Sequence, residues 1–327
     1  MLPAIRNCLA GGLALLTVPA FAEPGTAEDA GIRVAFRLTP TSITVVKGPF
    51  ARKYGLRIEP VVFPTGIEIN EAILTGTVDV GEIGIAPLAT VLSRTSDIVA
   101  IGVSDVGGGR YKTVVRKESP YQRMDDLVGK KIAIKVGSGN YAAFLTYIGS
   151  RGWKESDFKI VNAGDQEAIA ALSEGSVDAV IYWEPIASML VAKGVARPIF
   201  SFKGVVDNPT FVVVQRKFAT SRPDAVARYL AAFMDAQEFL TRDVAGAAAM
   251  ITKAMGASGQ QVDQNVIELS VPAVDYRIDL TEEVRKDLRE TWKLLHDRGK
   301  LRGSEPDWSK ALDGSYIEAA RKLRAAQ

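Results

Sequence analysis

The stretch Gly76-Thr77-Val78-Asp79 returns 99 residues later as Gly175-Ser176-Val177-Asp178. Its surroundings return with it. IRVAFR (32–37) stands opposite KIAIKV (131–136), LRIEPVVF (56–63) opposite DFKIVNAG (157–164), and Pro87 opposite Pro185. Three ordered elements at nearly one offset are not a chance match. Each copy reads as strand, helix, strand, helix, strand and then a turn into another helix, which is a βαβαβ half used twice. Val- and Ile-rich strands alternating with helical segments predict mainly parallel sheets covered on both faces. The expected fold class is therefore α/β with two lobes, each a mainly parallel sheet flanked by helices.

β-branched runs followed by charge, KTVVRKES (112–119) and PTFVVVQRKF (209–218), mark the crossings between lobes. They place 23–113 plus 213–327 in lobe I and 114–212 in lobe II. Beyond Pro223 the spacing of Val226, Leu230, Phe233 and Leu240 is helical, and further helices are expected over 243–255, 259–270, 281–298 and 313–325. These last helices are expected to pack on lobe I.

The chain opens with Arg6, an apolar run from Leu9 to Ala22, and a small-x-small ending at Ala20-Phe21-Ala22. That pattern predicts a secretory signal peptide over residues 1–22 and a periplasmic location. The single cysteine, Cys8, precedes the apolar run, where no lipid anchor or mature disulfide uses it. With 40 basic and 38 acidic residues, nothing favours a nucleic-acid partner. One histidine, His296, in a helical stripe with Val284, Leu288, Trp292 and Leu295, argues against a metal site or a histidine-based catalytic triad. The reading needs no cofactor and expects a monomer.

In parallel sheets, ligands gather at the carboxyl ends of strands. In the first half those ends carry Arg37, Thr39, Thr41 and Ser42, then Thr65, then Gly84, Ile85 and Ala86. The second half supplies Ser138, Gly139, Asn140 and Tyr141, then Trp183 and Glu184. These loops are rich in hydroxyls, glycine and helix starts, and poor in titratable groups, which suits holding a ligand more than transforming it. At KKIAIKVGSGNYAAFLTYIG (130–149) an apolar strand enters a helix through Gly137-Ser138-Gly139-Asn140. The turn lacks the spacing of a nucleotide loop, yet Ser138 or Asn140 can cap the helix and leave backbone N–H groups for an anion. A bland strand–helix turn has the same sequence. Arg37 offers a guanidinium fork to an acid group, or is a surface arginine at a strand end. Trp183 covers a ligand's carbon part or packs in the core. Glu184 meets a cationic group or sits in a first helical turn. Asp207, in Asp207-Asn208-Pro209, faces the cleft or makes a plain turn.

The ordered set of IRVAF, GxVDxGxxGxxP, DLVGKKIAIKVGS, AALSEGSVDAVIYWEP and FVVVQRKFATSRPDAVARYL resembles the periplasmic binding proteins for nitrate, taurine and alkanesulfonates, over nearly the whole mature chain. The resemblance implies a two-lobed type II binding-protein fold with the ligand in the cleft. It also implies delivery to an inner-membrane ABC permease driven by a cytoplasmic ATPase. By position it carries over Ser42, Thr65, Gly84, Ala86, Ser138, Gly139, Asn140, Trp183 and Glu184 as pocket residues. Two departures bear on ligand choice. Trp183-Glu184-Pro185 stands where many relatives resemble W-D-P, and Arg37 stands where many have an uncharged residue. The expected function is binding a small organic anion or zwitterion, taurine-like or another organosulfonate first. Nitrate, an aromatic acid or a pyrimidine are the other ligands weighed. An enzyme resembling the pyrimidine-forming enzymes of thiamine synthesis, or a ligand sensor, are the other functions.

Overall fold

The computed structural model describes residues 30–63 and 66–327. The leader expected over 1–22 and the candidate Thr65 lie outside them. The first half runs through β1 (Ala30–Phe36), α1 (Pro40–Lys47), α2 (Phe50–Lys53), β2 (Leu56–Val62), α3 (Gly66–Leu74), β3 (Val80–Gly84), α4 (Ile85–Leu92) and β4 (Ile98–Asp105). After β5 (Tyr111–Arg116), the second half repeats the order with β6 (Lys131–Ile134), α5 (Gly139–Ser150), β7 (Lys159–Asn162), α6 (Asp165–Glu174), β8 (Ala179–Trp183), α7 (Ile186–Ala192) and β9 (Ala196–Ser201). β10 (Thr210–Gln215) leads into the helical C-terminal part: α8 (Arg216–Ser221), α9 (Pro223–Arg242), α10 (Val244–Ala257), α11 (Gln264–Ser270), α12 (Glu282–Asp297), α13 (Trp308–Ala311) and α14 (Ser315–Ala325).

Two five-stranded sheets result, in the orders β2-β1-β3-β10-β4 and β7-β6-β8-β5-β9. Both are mainly parallel, each with one reversed strand. β10 runs antiparallel between β3 and β4, and β5 runs antiparallel between β8 and β9. The repeat therefore contains five strands, and the fifth of each copy crosses to complete the other sheet. Boundaries at 113/114 and 212/213 would cut β5 and β10. The crossings lie just before these strands, at 106–110 and 202–209. There the two crossing segments bond to each other, Gly107 N–H to Asp207 O at 2.6 Å and Gly108 N–H to Val206 O at 2.9 Å.

The repeated Gly-x-Val-Asp is structural. Gly76 and Gly175 take φ of 70° and 77°, the left-handed conformation that ends α3 and α6 and that only glycine adopts without strain. Val78 and Val177 are buried under the sheets. Asp79 then clamps β1: its N–H donates to Arg33 O at 2.8 Å, and its carboxylate accepts from Arg33 N–H at 2.8 Å. Asp178 does the same to β6, giving to Lys131 O and accepting from Lys131 N–H, both at 2.9 Å. Arg33 and Tyr121 complete the two carboxylates.

α12 packs on α4, and α14 on α9 and β4, so much of the C-terminal part covers the first sheet. α11 also reaches α7 of the second lobe. One apolar cluster continues from Leu88 and Leu92 of α4 through Leu288 and Leu295 of α12 to Phe144 and Ile148 of α5. It holds the lobes side by side beneath the cleft.

Replacing Asp79 by Ala leaves the Arg33 N–H and guanidinium without their charged acceptor, a loss of about 1.5–3 kcal/mol. Urea unfolding should show it as a lower midpoint at unchanged slope. Asp178→Ala should cost less, because that carboxylate is less buried.

Candidate functional site

The strands of both sheets end at a shared cleft whose inner cavity is about 90 Å³. That is several times the roughly 10–15 Å³ that a single buried water needs, so the cavity has room for a small ligand group. Four helices begin at its walls. α1 starts with Thr39, Pro40 and Thr41, α3 with Gly66 and Ile67, α4 with Gly84, and α5 with Ser138 and Gly139. Each N-terminus presents backbone N–H groups that its own helix cannot satisfy, together with the positive end of the helix dipole. Four such ends on one small cavity favour negative charge. Ser138 caps α5 by accepting from Tyr141 N–H at 3.4 Å. Thr39 Oγ1 is buried with no hydrogen-bond partner.

The ion pairs Arg110–Asp105 and Lys112–Glu184 border the cavity. Arg110 pairs with Asp105 and donates to Thr210 Oγ1 at 2.6 Å, to Gly107 O at 3.1 Å and to Asn208 O at 3.3 Å. Burial lowers the Arg110 guanidinium from its ordinary pKa, and nearby Arg37 adds to that. Glu184 pairs with Lys112 and accepts from Ser188 N–H at 3.1 Å and Ser188 Oγ at 2.8 Å. The two carboxylates on the cavity wall thus already have resident cations. Trp183, Ile67, Pro87, Val274 and Tyr276 supply apolar wall.

Of the residues picked out in the sequence, Arg37, Thr39, Thr41, Gly84, Ser138, Gly139, Trp183 and Glu184 reach this cavity. Ser42 does not: it is buried in α1 and its Oγ accepts from Arg37 N–H at 3.1 Å, so it shapes the loop beneath. Ile85 and Ala86 turn into the core under the first turn of α4. Asn140 is wholly buried and donates to Ile181 O at 2.7 Å, tying α5 to β8. Tyr141 points into the second lobe, where its hydroxyl donates to Glu155 Oε1 at 2.7 Å. Burial and that carboxylate push the hydroxyl up to about 12.

Asp207 is exposed and sits in a separate groove of about 550 Å³ with Asp287 and Glu290 of α12. Its neighbour Asn208 turns inward instead, with φ of 46° and Nδ2 donating to Gly139 O at 2.7 Å.

Asp105, Arg110, Tyr111, Thr210, Ser270, Val274 and Tyr276 line the cavity without having been picked out. One signal pointed to Arg110: the run Gly107-Gly108-Gly109 before it. A Cβ at Gly108 would meet Phe202 O at 2.3 Å and one at Gly109 would meet Ala273 O at 2.4 Å, so the run marks a close chain crossing. Ser270, Val274 and Tyr276 come from outside the repeat, and nothing local flags them.

Residues 39–246 match the NMT1/THI5-like family. The chain belongs to that family. Among relatives of this NMT1/THI5-like chain, the taurine-binding periplasmic protein of Escherichia coli strain K12 is 24% identical over 96% of this chain and 98% of its own. Among solved structures, the alkanesulfonate-binding protein SsuA from Xanthomonas axonopodis pv. citri, bound to MOPS, has a TM-score of 0.79 at 24% identity, covering 88% of this chain and 99% of that one. The desulfurization enzyme DSZB has a TM-score of 0.68 at 16% identity, covering 90% and 99%. The fold is the two-lobed type II binding-protein fold, and enzymes as well as binding proteins use it.

In the separate groove, burial, then Asp207 and Glu290, push Asp287 up to about 6, against the smaller opposing effect of Lys286 and Arg277. The folded chain thus holds a proton that the unfolded chain releases near pH 4. This stabilising contribution is present below about pH 4 and is lost as pH rises through about 6. Half-exposure to solvent keeps it modest. Asp287→Asn should therefore raise the melting temperature at pH 7.5 and leave it nearly unchanged at pH 4, as read by differential scanning calorimetry.

Proposed function

We propose that this chain is a solute-binding component of an ABC importer, exported to the periplasm, that holds a small organic anion in the inter-lobe cavity, an organosulfonate first. The observation that carries the reading is the meeting of four helix N-termini at one cavity, with the Thr39 hydroxyl open to a partner. A sulfonate offers three acceptor oxygens to those donors and to the Arg37 fork. Each hydrogen bond to a charged group contributes about 1.5–3 kcal/mol, so three or four reach the roughly −8 kcal/mol of micromolar binding. Trp183 and Ile67 cover the carbon part. The relatives' names support the same class.

Among the described residues that line the cavity, an amine on the ligand finds no unpaired carboxylate, because Glu184 is held by Lys112 and Asp105 by Arg110. The reading therefore prefers an organosulfonate with an uncharged tail over a zwitterion. Cleft residues from both lobes would contact one ligand, so binding favours the closed arrangement and presents a surface that a permease recognises.

Catalysis has less support. The chain's one histidine, His296, stacks on Trp292 of α12 at 4.8 Å between ring centres, away from the cavity. Among the described residues, the side chains that line the cavity include no histidine or cysteine.

Isothermal titration of ligand-free protein with ethanesulfonate, taurine, nitrate and a pyrimidine tests the reading. Ethanesulfonate should bind at one site per chain, and taurine more weakly. Arg37→Ala and Thr39→Val should each weaken ethanesulfonate by roughly tenfold to a hundredfold, the loss of one such hydrogen bond. Binding of the pyrimidine alone would overturn it.

A further inference from the structure

The inner cavity does not end at Trp183. Arg37, Thr39 and Trp183 also form part of the wall of a wider chamber of about 500 Å³. Its inner boundary is thus the outer boundary of the anion-directed cavity. Much of the chamber is apolar, lined by Leu38, Val62, Phe63, Ile186 and Met255. Lys135, Glu68 and Glu167 also line it. Val62 is 70% exposed, and among the described residues only Leu269 is a large hydrophobic side chain more exposed than it. Its neighbours in the chamber come from β2, from the loop before α1, from α7 and from α10, so the apolar lining draws on both lobes. An apolar surface left open next to a cavity built for a charged group calls for a ligand that carries both.

We propose that this chamber is a subsite for the apolar tail of the ligand, and that the preferred ligand is an organic acid with an extended alkyl or aryl group. The inference rests on the reading that the inner cavity holds the acid group. The acid group enters first, among the helix starts. The tail passes Trp183 and lies along Val62, Phe63 and Met255. Short anions such as ethanesulfonate fill the inner cavity alone and forgo that burial. Lobe closure would cover the tail from both sides, because Ile186 belongs to the second lobe and Val62 to the first.

The test is a ladder of n-alkanesulfonates from methane- to octanesulfonate, with naphthalenesulfonate as an aromatic arm, titrated calorimetrically. Affinity should rise by roughly twofold to fourfold per methylene beyond the length that fills the inner cavity, the increment expected for burying each CH₂ in part or in full. Val62→Ser should flatten that rise. A merely structural effect of the substitution would instead weaken every member equally. Tight ethanesulfonate binding with a flat or falling ladder would overturn the tail subsite and leave the anion reading standing. No binding by any member would overturn both. A rise confined to the aromatic arm would retain the subsite and assign it to aryl tails.

Discussion

The exchange of one strand between the two sheets governs the molecule. β5 leaves the first half to stand antiparallel beside β8, and β10 returns to stand antiparallel beside β3. A strand bonded on both edges cannot be released without breaking two ladders, so neither sheet is complete without a strand from across the cleft. The segments that carry these strands cross side by side and bond to one another at Gly107 and Gly108. Two short links at one end of both sheets bring the carboxyl ends of their strands together, and with them the helix starts.

The cavity's electrostatics follow from that geometry. Arg110 belongs to the first crossing segment, and its partners Asp105 and Thr210 belong to the strands on either side of the two crossings. The pair therefore sits where the chain crosses between the sheets and is neutral as a unit. Lys112 and Glu184 form a second neutral unit on the other wall. Backbone N–H groups, hydroxyls and the Arg37 guanidinium supply the remaining polarity of the lining.

The repeat made the fold legible. Its offset, its strand runs and its Gly-x-Val-Asp turns are local features, and local features survive in a single sequence. The cavity lining was legible where it is made of the same parts: Thr39, Gly84, Ser138 and Gly139 sit at strand-to-helix turns of the repeat. It failed at neighbours of those turns. Asn140 and Tyr141 share the first turn of α5 with Gly139, but a helix rotates each successive side chain by about 100°, so both point into protein. The same rotation hides Ile85 and Ala86. Glu184 reached the cavity wall, yet its carboxylate was already engaged by Lys112, a partner on a strand far away in sequence. Arg110, Tyr276 and Val274 are placed by long-range packing, which leaves no periodic trace. Neither Asp207 nor Asn208 lines the cavity: Asp207 stays exposed, and Asn208, with a left-handed backbone, turns inward to bond Gly139 O.

The most direct measurement is a crystal structure with 2-bromoethanesulfonate, using anomalous scattering to locate bromine and sulfur. The account places the sulfur among the starts of α1, α3, α4 and α5, within hydrogen-bond reach of Thr39, and the bromine toward Trp183. A sulfur in the groove beside Asp287, on the outer surface, or with its sulfonate turned away from all four helix starts would contradict it.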